Sequence, residues 1–159
     1  MSADANTCQS NVSSGTERRL NMIEAINEAL DVSMQRDDDV VVMGEDVGMA
    51  GGTYKATQGL FEKYGEKRVI DTPISESGFT GLGVGAAMTG LRPVIDIMFG
   101  DFLTLIMDQI VNQAAKLRYM SGGQATVPLT IRATMGAGRS SAAKHSQSLH
   151  AWASHVPGL

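Results

Sequence analysis

Val40-Val41-Val42-Met43 is an unbroken apolar run, mostly of β-branched residues. A strand with water on one face alternates apolar and polar side chains, whereas a strand apolar at every position must be covered on both faces. Such a strand belongs in a parallel sheet between two layers of helices. The other elements of the chain have to supply that cover.

The surrounding pattern provides it. Met22, Ile23, Ile26, Ala29, Leu30, Ser33 and Met34 follow helical spacing, which predicts an amphipathic helix over Asn21 to Arg36, ended by Asp37-Asp38-Asp39. A glycine-bearing loop runs from Gly44 to Gly52. A short helix is expected over Leu60 to Tyr64, a strand over Arg68 to Asp71 and a helix over Glu76 to Gly90. Then follow a strand over Pro93 to Phe99, a long helix over Phe102 to Met120 stopped by Ser121-Gly122-Gly123, and a strand over Val127 to Arg132. This alternation predicts an α/β fold, a mostly parallel sheet with helices on both faces, in one domain over residues 20–159. Residues 1–19 are polar and Ser/Asn-rich and read as a disordered tail. The loop from Thr134 to Gln147 is of a length more often functional than idle.

Composition narrows the function classes. A net charge of −4 with no basic stripe argues against nucleic acid as a partner. The apolar stretches are strand-length or interrupted, so no membrane span is expected. Cys8 is the only cysteine, which excludes an intramolecular disulfide or a cysteine metal cage and suits a reducing, cytoplasmic setting. His145, His150 and His155 recur every five residues, and on a helix that spacing turns each roughly 140° from the last. They are not expected to share a metal, and no metal site is expected. His145, after the long loop, is the best functional candidate of the three. Ser146 and Ser148 beside it suggest a nucleophile, but no G-x-S-x-G elbow accompanies them.

Val69-Ile70-Asp71-Thr72-Pro73-Ile74-Ser75-Glu76 ends a strand at a proline and opens a Gly/Ala-rich helix with an acid. Glu76 has two readings: a first-turn acid behind a Ser75 N-cap, or a lone carboxyl held against a ligand at a strand end. Within that helix Gly81, Gly85 and Thr89, and also Gly83 and Ala87, recur every four residues. That spacing suits close approach of another subunit or packing on the chain's own sheet. Gly81-Leu82-Gly83-Val84-Gly85-Ala86 matches the dinucleotide fingerprint with Asp96 or Asp101 downstream. Its glycines, however, lie mid-helix, where backbone N–H groups are already bonded. Met98 and Phe102, flanking a strand end, read as core or as an apolar wall for a flat heterocycle.

Several ordered segments together resemble one family. They are Met43-Gly44-Glu45-Asp46-Val47-Gly48, Arg68 through Glu76, Gly85-Ala86-Ala87-Met88-Thr89-Gly90-Leu91-Arg92-Pro93 and Asp108 through Lys116. Tyr119 through Gly123, His145-Ser146-Gln147-Ser148 and His155 through Leu159 complete the set. From about Leu20 to Leu159 the chain resembles the beta subunit of the thiamine-diphosphate-dependent decarboxylating component of 2-oxo acid dehydrogenase complexes. The match is to its N-terminal, transketolase-like pyrimidine-binding domain.

The resemblance implies a cofactor lying between an alpha and a beta subunit, with magnesium and diphosphate held by the alpha subunit. Glu76 matches the acid that hydrogen-bonds the aminopyrimidine ring nitrogen, and protonation there favours the imino form that activates the thiazolium carbon. Ile74, Met98 and Phe102 match residues lining that ring, Glu45 a supporting acid near it, and His145 an active-site histidine serving substrate or the lipoyl group. The implied partners are an alpha subunit, a second beta subunit, a lipoyl-bearing acyltransferase core and a small 2-oxo acid. The preferred activity is pyruvate dehydrogenation with acetyl transfer. Acetoin or branched-chain enzymes, a nicotinamide-binding domain and an inactive assembly fragment are the alternatives. Two features depart from the family: the chain ends where a second domain is expected, which puts independent activity in doubt, and Lys144 and Arg139-Ser140-Ser141 replace residues usual around His145. A cation at Lys144 would disfavour the imidazolium form of His145 and attract a carboxylate.

Overall fold

The computed structural model describes residues 18–159. The tail reading for residues 1–19 therefore lies outside the described residues except for its last two, of which Arg18 pairs with Glu28 at 2.5 Å. Cys8 lies outside them as well.

The apolar run becomes β1 (Val40–Gly44), buried at every position. It pairs in parallel with β2 (Val69–Asp71) on one side and β3 (Arg92–Ile97) on the other, and β4 (Thr130–Ala133) pairs in parallel with β3. The strand order is β2-β1-β3-β4, all parallel. Because successive side chains point to opposite faces, Val41 and Met43 join Phe79, Ile95, Ile97, Leu103, Ile106 and Ile110 on one side. Val40 and Val42 join Leu30, Met34, Leu60 and Val69 on the other. Each fully buried valine contributes roughly 1.5–3 kcal/mol relative to exposure.

The covering helices follow from local sequence. Helix α1 (Met22–Arg36) starts in a capping box: the Asn21 side chain accepts from the Glu24 N–H at 2.9 Å and the Glu24 carboxylate accepts from the Asn21 N–H at 2.8 Å. Together with α2 (Leu60–Tyr64) it covers the Val40/Val42 face. Arg68 locks α1 to the sheet by donating to the carbonyls of Met34, Asp37 and Val40 at 2.8–3.1 Å. Helices α3 (Glu76–Met88) and α4 (Leu103–Asp108) cover the opposite face.

The expected elements over Asn21–Arg36, Val40–Met43, Leu60–Tyr64, Arg68–Asp71, Glu76–Gly90 and Pro93–Phe99 are present within two residues at each end. Others differ. The single long helix expected over Phe102–Met120 is a 3-10 turn (Gly100–Phe102), α4, a π-helical segment (Gln109–Ala114) and α5 (Leu117–Met120). In the widened segment Ile110 stays in the core while Gln109 lies against Gly81 of α3, where a Cβ would come 3.1 Å from Gln109 Oε1. Strand β4 starts three residues later than expected, because Pro128 has no N–H to give the ladder. A short helix α6 (His150–His155) and 3-10 turns at Thr53–Lys55 and Ala143–His145 were not expected.

The small residues of α3 divide by face. A Cβ on Gly83 would lie 2.5 Å from Ile95 Cδ1, so this glycine seats the helix on its own sheet. Gly85 has nothing within 4 Å of such a Cβ, and it shares the outer side with the exposed Leu82. Gly83→Val should therefore overpack the core and lose about 1–3 kcal/mol, whereas Gly85→Ala should gain up to about 1 kcal/mol from reduced chain entropy. Urea unfolding of both variants checks this, and equal effects would contradict the seating of α3.

Candidate active site

Strand order reverses between β1 and β3: the chain leaves β1 for β2 on one side and then crosses to β3 on the other. The loops after β1 and β3 therefore diverge and leave a crevice at the carboxyl ends of the two central strands, where open α/β sheets bind ligands. Glu45 directly follows β1, and Met98, Phe99 and Phe102 follow β3. The Thr72 N–H donates to the Gly44 carbonyl at 2.9 Å, carrying the Pro73–Ser75 segment across the end of β1 and delivering Glu76 at the start of α3.

Glu45 and Glu76 are both buried, at 7% and 9% exposure. Burial pushes the Glu45 carboxyl above the usual range. The neighbouring Glu76 charge pushes it further, and the Ser75 backbone amide offsets part of this. Glu45 Oε1 has no hydrogen-bond partner among the described residues, and a buried polar atom left unsatisfied is open to a ligand group or a water. The capping reading of this segment fails on Ser75. Its hydroxyl donates to the Pro73 carbonyl at 3.1 Å and makes no cap bond to the helix.

A second group lies at the same sheet edge. The His145 ring packs edge-on against Phe99 at 4.8 Å and Phe102 at 5.5 Å, and the two phenylalanines meet at 5.8 Å. The loop from Thr134 to Gln147 is pinned there. The Thr134 hydroxyl donates to the Met98 carbonyl at 2.6 Å, and the Gly100 N–H donates to the Thr134 carbonyl at 2.6 Å. At its far end the Gln147 side chain donates to Asp101 Oδ1 at 2.8 Å. Burial works against the Asp101 carboxylate, but the Gln147 side-chain and backbone donors hold it below the usual range. A cavity of about 120 Å³ opens between Tyr54, Phe99, Thr134, Arg139 and His145.

The structure thus joins Glu45 to Glu76, and Phe102 to His145, with half-buried Met98 following β3. Ile74 precedes the carboxyl pair but is 84% exposed. His150 and His155 stand at the two ends of α6, and among the described residues no three His, Cys, Asp or Glu side chains gather as a metal site. Phe99, Asp101 and Tyr54 were not singled out as members of this site. An aromatic at a strand end was the available signal for Phe99; the others depend on loop folding.

The dinucleotide reading fails on three counts. Gly83 is packed on Ile95 inside the helix, Asp96 is buried in an ion pair with Arg132 at 2.5 Å, and Asp101 is occupied by Gln147.

Residues 18–159 match the family described as transketolase, pyrimidine binding domain. The chain belongs to this family. This pyrimidine-binding domain is 51% identical over 155 residues to the chloroplastic pyruvate dehydrogenase E1 component subunit beta-3 of Arabidopsis thaliana, covering 98% of the chain and 38% of that protein. It is 51% identical over 136 residues to the mitochondrial pyruvate dehydrogenase E1 component subunit beta of Bos taurus, covering 86% of the chain and 38% of that protein. It is also 47% identical over 154 residues to the acetoin:2,6-dichlorophenolindophenol oxidoreductase subunit beta of Bacillus subtilis, covering 89% of the chain and 45% of that protein. A solved split-gene transketolase, an inactive beta4 tetramer, superposes with a TM-score of 0.56 at 23% identity, over 77% of this chain and 35% of that one. That likeness concerns the fold. The chain spans well under half the length of each of these relatives. No helix among the described residues is long and apolar enough to cross a membrane.

The carboxyl pair makes a prediction about pH. Folding raises the proton affinity of Glu45 above its ordinary value of 4.5, so the folded state binds that proton more tightly than the unfolded chain. Stability should then fall as pH rises from the ordinary value through the raised one, and level off above it. Glu45→Gln has no such proton to lose. Its melting temperature relative to the parent should climb as pH rises from the ordinary value of 4.5 through the raised one. A difference that stays flat across that range would contradict the burial of this carboxyl beside Glu76.

Proposed function

We propose that this pyrimidine-binding domain is the N-terminal part of the beta subunit of a pyruvate-dehydrogenase-type E1 component. Its carboxyl group at Glu76 would hold and protonate the aminopyrimidine of thiamine diphosphate. The observation that carries this is the buried Glu45–Glu76 pair at the β1/β3 crevice, with an unsatisfied carboxyl oxygen. The 51% identities to pyruvate dehydrogenase beta subunits, over 38% of the length of each, support the substrate choice.

The donor set suits the cofactor. Glu76 offers a dry carboxyl to a ring nitrogen, Phe102 and Met98 offer half-buried apolar surface to a flat ring, and Ile74 presents an uncovered apolar side chain. Bound thiamine diphosphate supplies the electron sink for decarboxylation of a 2-oxo acid. Glu76 holds the proton at the ring nitrogen, and water excluded by burial does not compete for it. Glu45, raised in proton affinity, supports Glu76 as a neighbour able to stay protonated. His145, on the wall of the small cavity, handles the substrate or the incoming lipoyl group.

The reading assigns magnesium and diphosphate to an alpha subunit. A second beta subunit and a lipoyl-bearing acyltransferase core complete the partners. The cytoplasmic setting rests on the single cysteine alone, while the plant and bovine relatives carry chloroplastic and mitochondrial names. A second substrate reading, acetoin, is favoured by the Bacillus subtilis relative.

In a full-length assembly with its alpha partner, Glu76→Gln should lower turnover of pyruvate by about 10²–10⁴-fold with cofactor and folding retained. Near-normal turnover with a lowered melting temperature would return Glu76 to a structural role. Faster turnover of acetoin than pyruvate by the parent assembly would move the substrate to the second reading.

A further inference from the structure

Two loops face each other across the 120 Å³ cavity that His145 lines, one carrying Tyr54 and the other Arg139. The Arg139 guanidinium lies 4.3 Å over the Tyr54 ring, a stacking that fixes the direction of an otherwise flexible side chain and leaves its N–H groups available. Among the described residues Arg139 has no carboxylate partner, whereas Arg68, Arg92 and Arg132 each pair with an aspartate.

The backbone around this pair is strained. Of the five non-glycine residues with positive φ among the described residues, four (Tyr54, Lys55, Ser140 and Ala142) belong to these two loops, at φ between 56° and 66°. Each such residue costs of order 1 kcal/mol or more, and strain of this kind gathers where side chains are held for a ligand. The Tyr54 loop is clamped for the task. The Thr57 hydroxyl donates to the Val47 carbonyl at 2.7 Å, and Asn27 donates to the carbonyls of Ala56 and Gln58 at 3.0 Å.

Resting on the function proposed above, we propose that Arg139 recognises the carboxylate of the 2-oxo acid, with Tyr54 as its positioning residue. The cavity, of about 120 Å³, has room for a small acid. Arg139 is the cation on its wall; Lys144 is exposed beside His145 but does not line it. Arg139, Lys55 and Lys144 lie on the two loops around the cavity in a chain whose overall charge is −4, which favours entry of an anion there. A guanidinium suits a carboxylate because its planar N–H groups can meet both oxygens at once.

The test uses the full-length chain assembled with its alpha partner and cofactor, pyruvate as substrate and dichlorophenolindophenol as electron acceptor, with no lipoyl carrier present. Arg139→Met should raise the KM for pyruvate about 10- to 100-fold, the loss typical of a charged hydrogen bond, with kcat within about threefold. Arg139→Lys should fall between the two, and Tyr54→Leu should raise KM less while also sparing kcat. Inhibition by methyl pyruvate, which lacks the charge, should be unchanged in all three variants. An unaltered pyruvate KM in Arg139→Met and in a second variant, Arg139→Gln, overturns the proposal while the parent's activity leaves the function standing. A defect seen only when a lipoyl carrier replaces the dye assigns Arg139 to the carrier and also overturns it. A parent assembly inactive on every 2-oxo acid overturns both.

Discussion

Everything in this domain depends on β1 having parallel partners on both sides. A central parallel strand cannot reach its neighbours by hairpins, so each return must pass over a face of the sheet, and the helices that make those passes also bury the strand. With β2 and β3 on opposite sides of β1, the returns leave in opposite directions. The crevice that holds Glu45, Glu76 and the residues after β3 is the necessary gap between them. Site and core therefore have one cause: the same Val40–Met43 run that demands two helical layers also fixes where the chain must open.

Five of the acids at or near the carboxyl end of the sheet can be sorted by their partners into structural and chemical roles. Asp71 accepts from the Gly48 N–H at 2.7 Å and holds the loop after β1. Asp96 is paired with Arg132, and Asp101 ties down the histidine loop through Gln147. Glu45 and Glu76 are buried without a cation, and the pair raises the proton affinity of Glu45. A buried carboxyl with neither a cation nor a full set of donors costs stability. Such a cost persists where a ligand group completes the arrangement; Asp101 also keeps one oxygen unpartnered, but two Gln147 donors hold its other oxygen, whereas Glu45 and Glu76 lie side by side.

Much of the architecture was legible because period and burial agree. The Val40–Met43 run, the helical spacing of Met22 to Met34 and the Gly83/Ala87 repeat each depend on neighbours close in sequence or on one face of one element. The breaks came where a distant residue decides the local form. The π-helical turn at Gln109–Ala114 faces Gly81 of another helix, and the late start of β4 reflects a ladder that Pro128 cannot join. Glu76, Met98, Phe102 and His145 were candidates from local pattern, while Glu45 and the proposed roles of all five entered only with the family resemblance. From the residues alone, Glu76 read more readily as a first-turn acid behind a cap, whereas the Ser75 hydroxyl bonds the Pro73 carbonyl and makes no cap bond. Asp101–Gln147 and Tyr54–Arg139 join residues 46 and 85 positions apart, and no periodicity carries such a pairing.

The distribution of exposed apolar side chains bears on how such a site could become dry. Ile74 is 84% exposed two residues before Glu76, Met49 is 82% exposed in the loop after β1, and Leu82 is 61% exposed on the outer side of α3. Each leaves apolar area in water that a fold could have covered, and the outer side of α3 is smoothed by glycine where a neighbour would approach. A carboxyl that is to hold a proton against a ring nitrogen needs low local polarity on both sides of that ring. In the proposed site the sheet would supply one side through the half-buried Phe102 and Met98. The open flank beside the exposed Ile74 is then where the other side would have to be added, as the proposed sharing of a cofactor with a second subunit requires.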